Sequence, residues 1–194
     1  MNENLQIPIE LDELLAAEYN YIADTASQAN EDRARVSSFY LIAVGSLIAA
    51  LFGTQYSGSD IQSTTVSLMF GGLFTLLTLL GISTIMQLAR LRSAWHESML
   101  AMNQLKDFMV AQHPELSGAF RWKTSTLPSK YKVNSVSYYQ AVEVALIGGL
   151  MFGAGVFFFQ QAFFKVILLT WVIAVVVGSL MVLLQLQIYK RSLR

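Results

Sequence analysis

One stretch limits the fold of this chain more than any other: from Val66 to Ala89, VSLMFGGLFTLLTLLGISTIMQLA, no residue carries a charge. At about 1.5 Å of rise per residue such a helix measures roughly 36 Å, and a bilayer's hydrocarbon core is about 30 Å thick. Arg90 and Arg92 close the run like an interfacial anchor. The stretch predicts a membrane-spanning helix. Composition agrees, since only 13% of the 194 residues are charged and mean hydropathy is +0.48.

Three further apolar runs organise the rest. A first span is predicted over Val36–Phe52, a third over Tyr138–Phe159 and a fourth over Val166–Ile188, with Gln160–Lys165 as a tight hairpin between the last two. The expected fold is therefore an all-α, polytopic membrane protein with four transmembrane helices and helical extensions in the cytoplasm. The acidic start of the chain has neither a basic nor an apolar leader region, so the first span is expected to serve as its own insertion signal.

With both termini inside the cell, every lysine and arginine except Lys165 falls on the cytoplasmic side, as the positive-inside rule demands. That orientation implies a multi-pass protein of the inner membrane. It divides the chain into an acidic arm (1–35), a transmembrane hairpin (36–89), a basic helix and loop (90–137), a second hairpin (138–188) and a basic tail (189–194).

In the arm, Leu11, Leu14, Leu15, Ile22, Ala26 and Ala29 recur at helical spacing after Pro8. A stripe this narrow, without basic residues on the polar face, suits packing on the same protein or a second copy better than lying in a membrane surface. Beyond Ala89, Leu91, Trp95, Met99, Met102, Leu105 and Met109 carry the second helix on toward Pro114, which should end it. Between Glu115 and Ser137 no helical period is visible.

Cysteine is absent and only two histidines occur, which removes disulfides, thiolate chemistry and most metal sites; no cofactor is expected. His96-Glu97 lacks the second histidine of a metallopeptidase helix. Arg90 and His96 share the R-x5-H spacing of HEPN ribonucleases, but Arg90 is explained as an anchor and no other polar group accompanies the pair. Catalysis is not expected.

The ligand candidate is the basic and aromatic run Arg121, Trp122, Lys123, Lys130, Tyr131 and Lys132. Cations there could neutralise phosphates while rings stack bases, as in single-strand and nucleotide binding. Anionic lipid headgroups meet the same chemistry. A third reading pairs this loop, at net charge +4, with the arm, at −6.

Within the spans, Glu143 is the one carboxylate, a candidate pore or gating residue or an inter-helix partner, with Gln87, Gln185 and Gln187 at the same depth. Gly149 and Gly153 form a small-xxx-small pair that predicts close helix approach. Four short spans enclose too little lumen to conduct, so any channel must be a homo-oligomer.

In size, span number, inward termini and cytoplasmic basic insert, the chain resembles the four-span channel effectors of nucleotidyltransferase-controlled, Hailong-type anti-phage systems. The octameric RipA-like membrane proteins share the small multi-span format. The first resemblance implies an ion channel opened or closed by a nucleotide or single-stranded oligonucleotide, working beside a soluble nucleotidyltransferase. It transfers no site residue. The alternative is a non-conducting anchor or scaffold that recruits a soluble partner through the acidic arm.

Overall fold

The computed structural model describes residues 11–53 and 64–194. Among them the long elements are all helices: α1 (Leu11–Gly53), α2 (Thr64–Gln112), α3 (Val136–Phe163) and α4 (Leu168–Ser192). Two short 3₁₀ turns, Pro114–Gly118 and Thr124–Thr126, punctuate the connector between α2 and α3. The polar loop at 54–63 and the first acidic residues, Glu3 and Glu10, lie outside the described residues.

Helices α2, α3 and α4 are each long and apolar enough to cross a membrane. Their surfaces are arranged for lipid. Leu79, Leu146, Leu150, Leu180 and Leu183 are exposed, while Ser67, Thr78, Thr84 and Gln185 are buried between helices. A water-soluble bundle would reverse that pattern. In hydrocarbon an apolar exterior costs nothing, and small or polar residues serve the helix contacts instead. The chain is thus a membrane-embedded, all-helical protein.

Neither α1 nor α2 breaks where its apolar part meets its polar part. The stretch Val36–Phe52 is the second half of α1, whose 43 residues also include the acidic arm. The 49 residues of α2 run from the uncharged stretch through Arg90 and Arg92 to Gln112. At 1.5 Å per residue these helices are about 65 and 74 Å long. Neither interior contains a proline, so nothing in the backbone forces a kink at the boundary. Pro114 follows the end of α2, and the chain turns there.

The central element is α2, which packs along α1 on one side and α3 on the other; α3 in turn packs along α4. The α1 side of the first contact consists of Ile22, Ala26, Ala29, Arg33, Ser37, Tyr40 and Val44, all buried and three or four residues apart. Helical residues at that spacing lie on one face. One seam therefore ties the arm and the apolar half of α1 to α2. The stripe read from the sequence is right at Ile22, Ala26 and Ala29, but Leu11 and Leu14 are exposed, beyond the start of this seam.

Entry to α3 is set by Asn134, which takes a left-handed φ of 65°, and by Ser135, whose hydroxyl accepts the Tyr138 N–H at 3.2 Å. Asparagine tolerates the left-handed region better than most residues, and serine is a favoured helix cap. The hairpin between α3 and α4 is Phe164–Ile167, a few residues later than the sequence suggests. Gln160 and Gln161 do not end α3, because its amides stay bonded until Phe164 N–H reaches Gln160 O at 2.8 Å. Where water is scarce, a broken helical turn strands backbone donors, and this favours continuing through a polar pair.

Backbone contact joins α3 to α4. A Cβ added at Gly153 would stand 2.7 Å from the Ala174 carbonyl oxygen, and one at Gly178 would stand 2.8 Å from that of Gly149. No side chain fits in either place.

A candidate functional site at the polar end of the bundle

Each helix sends one side chain to the level where its apolar stretch ends. Arg33 comes from α1, Arg92 from α2, Ser137 from the first turn of α3 and Tyr189 from the last turns of α4. All four are buried, and the two arginines are only 9% and 6% exposed. Arg33 Nη1 donates to Ser137 Oγ at 3.1 Å and Nη2 to Asn30 Oδ1 at 3.0 Å. The Tyr189 hydroxyl lies 3.2 Å from the Ser137 carbonyl and 3.3 Å from Ser137 Oγ. Arg92 Nε donates to the Lys130 carbonyl at 3.1 Å, and its guanidinium lies over the Trp95 ring at 4.3 Å.

The connector closes this junction. The Tyr131 ring meets those of Tyr138 and Tyr189, with centroids 6.2 and 6.5 Å apart, and the Lys190 ammonium sits 5.6 Å from the Tyr131 centroid. Lys130 Nζ pairs with Glu97 at 2.9 Å. His96 Nε2 lies 3.0 Å from the Pro128 carbonyl, so that nitrogen carries the proton and donates, leaving Nδ1 buried without a partner. Burial is the main cause that pushes the His96 pKa below the ordinary value.

Electrostatically the junction is unusual. The ion pairs among the described residues are Arg35 with Asp32, His113 with Glu115 and Lys130 with Glu97, so no carboxylate reaches Arg33 or Arg92. Every hydrogen bond the two make is to a neutral oxygen. Burial lowers both guanidinium pKa values, and at Arg92 the charge of Arg33 adds to that lowering. Arginine nevertheless stays protonated at neutral pH. Two positive charges thus share one buried neighbourhood.

The sequence-derived candidates scatter around this junction. Tyr131 and the Lys130 backbone belong to it, whereas Arg121, Trp122, Lys123 and Lys132 are exposed. The Lys123 carbonyl accepts from Asn103 at 3.2 Å, eleven residues along α2 from Arg92, or about 16 Å. The basic and aromatic run is therefore pinned to α2 at two distant places and forms no single patch. Between the arm and the connector the described residues show no ion pair; from α2, Lys106 lies over the Tyr19 ring of the arm at 5.9 Å.

Gln185 is fully buried against Gly148, and neither of its side-chain polar atoms has a partner. Glu143, Gln87 and Gln187 instead lie exposed on outer faces, and Gln87 donates to Ser83 at 3.3 Å. Among the described residues these four side chains form no polar layer within the chain. Gly149 and Gly153 lie at the α3–α4 contact, so their backbones face a helix of the same chain. Arg90 is exposed and His96 is half-buried. Six residues turn a helix by about 600°, so the two side chains do not share a face.

Reading from sequence missed Arg33 and Arg92 as buried groups, since Arg92 passes for a membrane-edge anchor and Arg33 for one of the arm's surface charges. A signal was present: Arg33 continues the 22, 26, 29 spacing and so lies on the seam. No protein-family model, curated protein or solved structure matches this chain.

Proposed function

We propose that the chain is a homo-oligomeric membrane effector that conducts ions under the control of its cytoplasmic end. In this reading Val36–Phe52 is a fourth crossing, both termini are cytoplasmic and the membrane is the inner one. One observation carries the proposal: α1 and α2 are unbroken helices joined by a single seam from Ile22 to Val44. Whatever displaces the polar half of that pair displaces the membrane half with it. A passive anchor has no need of such rigid continuity. Glu143 and Gln87, exposed at membrane depth, are the polar groups placed to meet a neighbouring subunit, where an intramembrane carboxylate gains partners that one chain does not offer.

Reconstitution in liposomes tests this. The full chain is expected to pass ions, and removal of residues 11–30 is expected to change the flux severalfold while the oligomer survives. Protein that is oligomeric and correctly inserted yet never changes vesicle permeability would refute the channel.

A second reading has its own support. Asp12, Glu13, Glu18, Asp24 and Glu31 of the arm are exposed and form no ion pair with the connector. An acidic face left open in this way suits a scaffold that recruits a soluble basic partner. Under that reading, deletion of the arm abolishes partner capture and leaves permeability unaltered.

A further inference from the structure

Arg33 and Arg92 pose a problem of charge. Removing a cation from water is costly, and buried cations are ordinarily matched by an acid. Here two guanidiniums from different helices are buried together, with only neutral oxygens around them. The charged groups facing the junction worsen the imbalance. Lys190 comes from α4, while α3 contributes no charge in its first turn. Lys130, from the connector, is matched by Glu97 and adds no net charge. Asp32, on α1, is engaged by Arg35 on the exposed side.

Donors are left over as well. Arg33 Nε is completely buried and has no acceptor. Arg92 uses Nε alone: among the described residues no protein group accepts from its two terminal nitrogens, which unlike Arg33 Nε are not sealed from solvent. Unmatched positive charge and unmatched N–H groups therefore occur at the same place. A planar fork with two free terminal donors fits a tetrahedral oxyanion, which can take parallel hydrogen bonds from it.

We propose that Arg33 and Arg92 form a binding site for a phosphate-class anion at the polar end of the bundle, between α1 and α2. The anion supplies the charge that the chain omits and takes the hydrogen bonds that Arg33 Nε and the Arg92 fork leave open. Its position explains its two natural sources. Arg33 precedes the apolar stretch of α1 by three residues and Arg92 follows that of α2 by three, which is headgroup depth for a lipid and also within reach of a soluble phosphate. Because Arg33 and Arg92 are on the two continuous helices, a bound anion braces α1 against α2. This inference does not rest on ion conduction, since occupancy can be measured in detergent where no current flows.

The test uses the full chain in a neutral detergent, titrated separately with inorganic pyrophosphate and with dioctanoyl phosphatidylglycerol, against dioctanoyl phosphatidylcholine as the uncharged control. Binding is read by the rise in Tm and by direct calorimetry. At least one of the two anions should bind while phosphatidylcholine does not. Arg33→Gln and Arg92→Gln should each weaken that binding by about tenfold or more, as expected for loss of a charge-assisted contact. The exposed pair Arg121→Gln/Lys123→Gln should leave it unchanged. Binding of pyrophosphate alone identifies a soluble phosphate, and binding of phosphatidylglycerol alone identifies a headgroup; binding of both shows that the phosphate itself is read. Arg92→Lys covers the case in which a glutamine variant fails to fold: it keeps the charge but loses the fork, and should bind more weakly while unfolding like the parent. No binding by either anion, equal binding by the glutamine variants, or loss in the Arg121/Lys123 variant would each overturn the proposal. The arginines would then be seam residues that set helix register and nothing more.

Discussion

The two helix pairs of this molecule are held by opposite means. Between α1 and α2, side chains form the contact, a seam from Ile22 to Val44 that admits alanine, tyrosine, serine and arginine. Between α3 and α4, the backbones themselves touch at Gly149, Gly153 and Gly178. The first pair extends into its polar half, where burying Ile22, Ala26 and Ala29 removes apolar surface from water and so drives association. The second pair sits within apolar surroundings, where that drive vanishes and close van der Waals fit must replace it. Helix pairs of one chain can thus need different glue, according to the solvent along their length.

The sharpest way to break this contrast is Gly153→Leu. Neither the Ala174 carbonyl nor the α4 backbone can move aside locally, so the α3–α4 hairpin should separate, costing about 3 kcal/mol or more in a denaturing-detergent titration. If it unfolds like the parent, the backbone contact is not what holds the pair. In the other pair, Ile22→Ala leaves a cavity in the polar half and should cost about 2 kcal/mol, seen as faster hydrogen exchange in α1 before Arg33 and little change in α3 and α4.

A milder change probes the one place where the side-chain seam narrows to a glycine. A Cβ at Gly81 would lie 2.7 Å from the Tyr40 hydroxyl and 3.1 Å from its ring carbon, and Tyr40 is buried. Gly81→Ala should cost about 1–2 kcal/mol, and Tyr40→Phe in the same chain should recover part of it, a coupling expected of residues in contact. Additive effects would show that the two do not meet.

The smallest effect expected comes from pH. His96 holds a pKa below its ordinary 6.5, with burial the leading cause. Its folded-state value being the lower one, its contribution to stability is complete above the unfolded value and fades as pH falls through the folded value. Protection factors of backbone amides around 124–131, corrected for the intrinsic pH dependence of exchange, should therefore fall as pH drops below about 6.5, and His96→Gln should flatten that profile. An unchanged profile in the variant would remove His96 as the cause.

Much of the fold was legible because the membrane writes a coarse signal. Long apolar runs announce α2, α3 and α4, and Pro114 announces the end of α2. The partners were harder to read. Gly149 and Gly153 advertise a close contact without saying whether α4 or another subunit fills it. The candidate site was legible only in part. Tyr131 and Lys130 were singled out for their side chains, yet the Lys130 carbonyl is what meets Arg92. Arg92 looked like an edge anchor and Arg33 like one more charge of the arm, because local sequence does not tell which face of a helix turns inward. Only the phase shared with Ile22, Ala26 and Ala29 does that for Arg33, and phase is lost when a helix is cut conceptually into an arm and a span. Among Gln87, Gln185 and Gln187, similar depth concealed different facing, and only Gln185 is enclosed.

A charged rung in the α1–α2 seam also limits how these rods can move. Sliding α1 by one heptad toward the apolar side would carry Arg33 about 10 Å, to the level now held by Tyr40 against Gly81, and so drag a guanidinium in among the apolar side chains of α2. Piston travel of that size is closed to this pair. What remains cheap is pivoting or twisting about the fixed rung, with the far ends sweeping widest, so that rotation rather than axial stroke is the motion this architecture leaves free.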